Sequence, residues 1–363
     1  MAFWLDQSVT SIPSPPAHPQ LLYIGCYTAE MGGEGVGITA VRRDPATGRL
    51  DSLGVVAPTP SPSFLAWHPT LPVLYATNEL DEGSVSAWAV QGETDLRPLG
   101  TSPTGGAHPC HLVVAPGGRY LVSTNYTSGS VAVHRLGDDG ALGERTDLLV
   151  HEGTGPDPKR QERAHAHMAS PNPVGGAILV VDLGTDAVYR YSLEVGTGRL
   201  VPVGPKIHVR AGSGPRHIAR HPDGLRAYLV GELDATVTAY DIDGLAGALH
   251  ERGRVASTRL TGGQPSEIAV SADGRFLYVA NRGPDTVSVF TLDADPPSYL
   301  AEVPTGGKWP RHFALVGEHL YVANERSHAV VGFHLDRDSG VPQEPGNALE
   351  VPSPTCVLPA KSL

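Results

Sequence analysis

The chain has 363 residues, a net charge of −11 and 40% hydrophobic residues, with 43 glycines and 33 prolines. That density of backbone breakers excludes long helices, and the apolar share excludes wholesale disorder. No apolar run approaches the length of a membrane helix, the acidic balance argues against a nucleic-acid surface, and Cys26, Cys110 and Cys356 lack metal or redox spacing.

Met1-Ala-Phe-Trp-Leu-Asp6 has neither the basic segment nor the long apolar core of a secretion signal, so a cytoplasmic protein is expected. Residues 11–19 are too proline-rich to pack, and residues 1–19 read as a flexible leader. From residue 20 a pattern repeats: an apolar strand ending in a polar or small residue, then a turn and an alternating strand. The first element appears as Leu22-Tyr-Ile-Gly-Cys26, Leu74-Tyr-Ala-Thr-Asn78, Leu121-Val-Ser-Thr-Asn125 and Ile178-Leu-Val-Val-Asp182. It returns as Ala227-Tyr-Leu-Val-Gly231, Leu277-Tyr-Val-Ala-Asn281 and Leu320-Tyr-Val-Ala-Asn324. Successive copies are spaced by 52, 47, 57, 49, 50 and 43 residues. Partners such as Thr236-Val-Thr-Ala-Tyr240 alternate with period two, the signature of strands.

Upstream of most copies a proline opens another short strand, as at Pro62, Pro109, Pro215, Pro265 and Pro310, with Ala166 in the fourth place. Seven units of about fifty residues, each with room for four strands, predict an all-β, seven-bladed β-propeller. The first copy lacks its upstream half, and Pro354-Thr-Cys-Val-Leu358 lacks a downstream half. The C-terminal strand is therefore expected to become the innermost strand of the N-terminal blade and close the ring. One domain over residues 20–359 with a tail at 360–363 follows. A ring closed in this way leaves no edge that a partner must cover, so a monomer is expected.

Propellers bind ligands at the mouth of the central channel, so equivalent positions of the repeats identify the lining. After the proline stand Ser63, Cys110, His167, Arg216, Ser266, Arg311 and Thr355. After the strand-ending residue stand Tyr27, Glu79, Tyr126, Leu183, Glu232, Arg282 and Glu325. A purely architectural position would keep one residue type; these rings mix His, Arg, Glu and Tyr, as an asymmetric small-molecule site requires. Converging arginines suit an anion, which guanidinium forks bind bidentately. One layer deeper, His111, His217, Glu267 and His312 are placed to give supporting hydrogen bonds or to brace the blades. His165-Ala-His167 has ligand-like spacing but no identifiable third ligand, no Gly-Xaa-Ser-Xaa-Gly elbow is present, and Gly32-Gly-Glu-Gly-Val-Gly37 leads into a strand. Neither a metal nor a cofactor is called for.

Leu22-Tyr-Ile-Gly-Cys-Tyr-Thr28, His165-Ala-His167, Gly214-Pro-Arg-His217, Glu232-Leu-Asp-Ala-Thr-Val237, the run from Asp273 to Gly283 and Trp309-Pro-Arg-His-Phe313 together resemble the seven-bladed propeller lactonases. That family includes propeller-type 6-phosphogluconolactonases and carboxymuconate lactonizing enzymes. The resemblance implies a metal-independent catalytic set of His167, Arg216, Glu232 and Arg282, all four already in the two rings. Arg311, His217, His312, Glu79 and His111 complete the expected substrate-binding group. The implied reaction is hydrolysis of a small anionic lactone, foremost 6-phosphogluconolactone, with Glu232 or His167 as base. An unphosphorylated aldonolactone, lactone formation by a carboxymuconate-type cycloisomerase and a non-catalytic interaction platform are the alternatives. A wet channel mouth, outside the core, is expected to hold the site.

Overall fold

The computed structural model describes residues 20–173, 175–243 and 245–361; the expected leader and the last two residues of the tail lie outside the described residues. Seven antiparallel sheets are arranged as blades, six of four strands and one, the fourth, with a fifth short strand, Ile207–His208. The prolines of the repeat open innermost strands such as Pro109–Val114, Pro215–Arg220 and Pro310–Val316, and Ala166–Pro171 takes that place in the fourth blade. Proline suits this position because the first residue of a strand need not donate to the ladder.

The ring closes as expected. Pro354–Pro359 pairs antiparallel with Leu21–Cys26, matching Leu22 to Pro359 and Ile24 to Val357, and so forms the inner edge of the first blade. Gly25 sits at this seam because a Cβ there would lie 2.2 Å from the Pro62 carbonyl oxygen of the next blade.

The recurrent tyrosine has a physical reason. Tyr75, Tyr120, Tyr278 and Tyr321 lie on the second strands of their blades and are at most 1% exposed. Each donates its hydroxyl to a carbonyl in the outer turn of the following blade: Gly140 at 2.7 Å, Val195 at 2.7 Å, Gly340 at 2.8 Å and Gly48 at 3.1 Å. The phenol thus fills the space between two sheets and satisfies its polar end there, each bond contributing roughly 1 kcal/mol. The His-Pro turns repeat the device: His68 and His221 place Nε2 at 2.8 Å and 2.9 Å from the carbonyls of Gly118 and Gly274. Between neighbouring sheets lie apolar clusters, such as Tyr278, Val289, Phe313, Val322 and Phe333. Among the described residues no helix is long and apolar enough to cross a membrane.

Candidate active site

The two rings read from the repeats converge on one face of the propeller. Tyr27, Glu79, Cys110, Tyr126, His167, Arg216, Glu232, Arg282 and Arg311 all line a single cavity of about 340 Å³. That size is within the usual range for small-molecule sites. Leu183 and Ser266, from the same rings, do other work: Leu183 is fully buried, and Ser266 donates to the Pro310 carbonyl at 2.6 Å.

Glu232 is the electrostatic centre. Its Oε2 lies 2.7 Å from Arg282 Nη2 and 3.2 Å from Arg216 Nε, and its Oε1 lies 2.5 Å from Arg160 Nη2. Burial alone would raise this carboxyl, but Arg282, Arg216 and Arg160 outweigh it and bring it down to about 2. The backbone fixes two of these arginines. Arg216 Nη1 donates to the Ser266 carbonyl, and Arg282 donates from Nε to the Gln264 carbonyl at 3.1 Å. Burial, and then the charge of Arg282, depress Arg216 to about 10, so it stays cationic at neutral pH.

Across the cavity Arg311 meets Glu325 at 3.1 Å and donates to the Tyr27 hydroxyl, which donates in turn to Glu79 Oε1 at 2.9 Å. The cavity is therefore polarised. Three guanidinium groups surround one carboxylate on the Glu232 side, while on the other a single arginine stands among two carboxylates.

His167 stands in the wall, its ring edge-on to Tyr126 at 5.6 Å and to His217 at 5.1 Å. Burial, followed by the positive field of Arg216 and its neighbours, holds this imidazole well below 6.5, so it is neutral at physiological pH. Cys110 lies beside it, but burial pushes the thiol up to about 12, which removes it as a nucleophile.

The deeper layer sits beneath this cavity. His217 Nδ1 is 3.0 Å and His312 Nε2 3.4 Å from Glu267 Oε2. Burial raises Glu267 and lowers both histidines, which favours the neutral forms of all three. His217 and His312 border a space of about 20 Å³ under the floor, room for about one water. His111 packs on Phe64 at 4.3 Å and borders the opposite mouth of the channel. Of the expected substrate-binding group, the structure thus brings Arg311 and Glu79 to the cavity and sets His217, His312 and His111 below it.

One expectation changes. The site is not a wet rim: Glu232, Arg216, Arg282 and His167 are 3%, 4%, 6% and 7% exposed, because the blades' inner strands pack tightly beneath the mouth. His165 does not join His167 at a shared centre. Its ring nitrogens face the Tyr126 carbonyl at 3.0 Å and Glu162 at 3.2 Å, and it stacks on Tyr126 at 4.5 Å. Among the described residues no three His, Cys, Asp or Glu side chains are grouped to hold a metal ion. The guanidinium-rich donor set suits an anion, not a cation.

Arg160 was missed by sequence reasoning because it belongs to no repeat position. It lies on the segment between Leu142–Val150 and Ala166–Pro171, inside the longest of the repeat intervals, 57 residues. That excess length was the available signal.

Residues 21–359 match the lactonase family, whose description is a seven-bladed β-propeller, and the chain belongs to that family. It is 32% identical over 344 residues to a 6-phosphogluconolactonase of Bacillus subtilis, spanning 92% of this chain and 97% of that protein. A 6-phosphogluconolactonase of Formosa agariphila is 27% identical, with 89% and 96% coverage. Among solved structures, the periplasmic gluconolactonase of Pseudomonas aeruginosa superposes with a TM-score of 0.87 at 28% identity, covering 94% of this chain and 99% of that one. The protein is a lactone-hydrolysing enzyme of the propeller type.

Proposed function

We propose that the protein hydrolyses 6-phosphogluconolactone to 6-phosphogluconate. The observation that carries this reading is the cationic end of the cavity, where Arg160, Arg216 and Arg282 face one carboxylate, Glu232. Three guanidinium charges against one carboxylate leave that side net positive, which suits a strongly charged anion, and a phosphate monoester carries close to two negative charges at neutral pH. The relatives named 6-phosphogluconolactonase support it. The gluconolactonase from Pseudomonas favours a second reading, an unphosphorylated aldonolactone.

In the proposed mechanism His167, neutral and in the wall, takes a proton from water as the water oxygen bonds to the lactone carbonyl carbon. Arg216 and Arg282 face the oxyanion that develops on the carbonyl oxygen. The tetrahedral centre then collapses, the bond from carbon to ring oxygen breaks, and the imidazolium returns its proton to that oxygen. The product is an open chain with a free hydroxyl and a carboxylic acid, which releases its proton to solvent at neutral pH and leaves as the carboxylate. Glu232 is cast as the residue that holds the arginines, because both its oxygens are engaged by guanidinium groups. Three free cysteines, Cys26, Cys110 and Cys356, support a reducing, cytoplasmic setting.

The test is an initial-rate comparison of freshly made 6-phosphogluconolactone and glucono-δ-lactone, with spontaneous hydrolysis subtracted. A higher kcat/KM on the phosphorylated lactone is expected; preference for the unphosphorylated one would transfer the assignment to the second reading.

A further inference from the structure

The three arginines on Glu232 are not equivalent. Arg216 and Arg282 come from strands, their side chains are 5% and 7% exposed, and each also donates to a backbone carbonyl. Arg160 comes from a loop, its side chain is 36% exposed, and its partners are the Glu232 carboxylate and the Tyr126 hydroxyl, both in the cavity wall. Its guanidinium can change partner without breaking any tie to the backbone of the blades.

The loop itself is built to present that side chain. Gln161, fully buried, donates from Nε2 to the Leu183 carbonyl at 2.8 Å and accepts from the Asp157 amide at 3.2 Å. Asp157 accepts from the amides of Lys159 at 2.8 Å and Arg160 at 3.2 Å, closing a turn just before the arginine. Gly155 donates its amide to the Gln161 carbonyl at 2.9 Å, and a Cβ at Gly155 would lie 2.4 Å from the Gln161 side chain. At the loop's start His151 is buried and paired with Asp182 at 2.7 Å, which fixes where the loop leaves the third blade. A rigid base with a long, half-exposed cationic tip over a cavity is the arrangement expected of a residue that reads a ligand's far end.

We propose that Arg160 is the specificity residue for the substrate's distal phosphate: on binding, its guanidinium leaves Glu232 Oε1 and forks onto the phosphate oxygens. The proposal rests on the phosphorylated-lactone reading above and names the residue that enforces it. Glu232 keeps Arg216 and Arg282 on its other oxygen throughout, so the arginines facing the reacting carbonyl do not move. An unphosphorylated lactone offers Arg160 no anion, and the Arg160–Glu232 pair stays closed over it.

The experiment measures the ratio of kcat/KM for 6-phosphogluconolactone over glucono-δ-lactone in the wild type, Arg160→Met and Arg160→Lys. In parallel, the affinity of each protein for inorganic phosphate is titrated. Loss of a bidentate charged contact should cut the ratio by about a hundredfold in Arg160→Met and by roughly tenfold in Arg160→Lys, and weaken phosphate binding about tenfold or more in the methionine variant. If both substrates lose activity together, with the ratio and the phosphate affinity unchanged, Arg160 only positions Glu232 and the proposal is overturned. A wild type that does not accelerate 6-phosphogluconolactone defeats the substrate reading instead. The phosphate titration then decides Arg160 alone, unchanged affinity in Arg160→Met counting against it.

Discussion

Arg282 Nη2 lies 2.7 Å from Glu232 Oε2, joining a residue that ends a strand of the sixth blade to one that follows a strand of the fifth. The pair is buried on both sides and holds two neighbouring blades together at the cavity. Breaking such a pair leaves an uncompensated charge in a low-dielectric setting.

Glu232→Gln is therefore expected to destabilise the fold by about 3 kcal/mol, since three guanidinium groups lose their shared counter-charge. Its pH dependence is specific. The carboxyl titrates near 2 in the folded protein against 4.5 for the free group, so its contribution is fully present above 4.5 and lost as pH falls through about 2. Melting curves between pH 5 and pH 2 should show a shallower acid decline in the variant than in the wild type.

Arg216→Lys and Arg282→Lys should each lower kcat/KM by about ten- to a thousandfold, or about 1.4–4 kcal/mol of transition-state stabilisation. A lysine ammonium cannot hold Glu232, a backbone carbonyl and a developing oxyanion in one plane. Because both arginines are buried, the melting temperature should fall as well, which a wet channel mouth would not predict. Kinetics and thermal melts on the same preparations check this.

The neutral state of His167 sets the acid side of the activity profile. With the imidazole held well below 6.5, kcat/KM should be flat through pH 7 and decline only at a pH clearly below 6.5. His167→Asn should cut kcat with a smaller change in KM, and the acid limb should disappear from what activity remains. A limb centred at or above 6.5 in the wild type would remove His167 as the base.

Ring closure gives a stability prediction. Deleting residues from Pro352 onward removes the strand Pro354–Pro359, its pairing with Leu21–Cys26 and the Trp67 Nε1 bond to the Pro359 carbonyl at 2.8 Å. It also takes Val357 out of the apolar cluster and uncovers Leu22, Ile24 and Val330. The truncated protein should fail to melt cooperatively near the wild-type temperature. A chain ending at Val351 that unfolds like the intact one would contradict closure by this strand.

The repeats made the fold legible because a strand register is local and periodic. The proline at or near the start of the inner strand in six of the seven blades, and the Leu-Tyr pair of the second strand at 22, 74, 277 and 320, record constraints that recur around the ring. The same alignment located His167, Arg216, Glu232 and Arg282, since equivalent positions of a closed ring must converge. What it could not reveal depends on non-repeating or through-space features. Arg160 lies in an insertion outside the repeat, and its partner is 72 residues away. The burial of the site depends on how seven inner strands and the Phe64 side chain fill the channel, which no single repeat encodes. His111, His217 and His312 shared a ring position, yet only the packed structure shows them under the cavity floor.

The central claim, a cationic cavity that hydrolyses a phosphorylated sugar lactone, is tested most directly by one measurement. Hydrolysis of fresh 6-phosphogluconolactone is followed at pH 7 with the purified protein and with Arg216→Lys, spontaneous hydrolysis being subtracted. The account predicts clear acceleration by the wild type and a loss of kcat/KM of at least about tenfold in the variant. Equal rates for the two proteins, or a wild-type rate no faster than the spontaneous reaction, would contradict it.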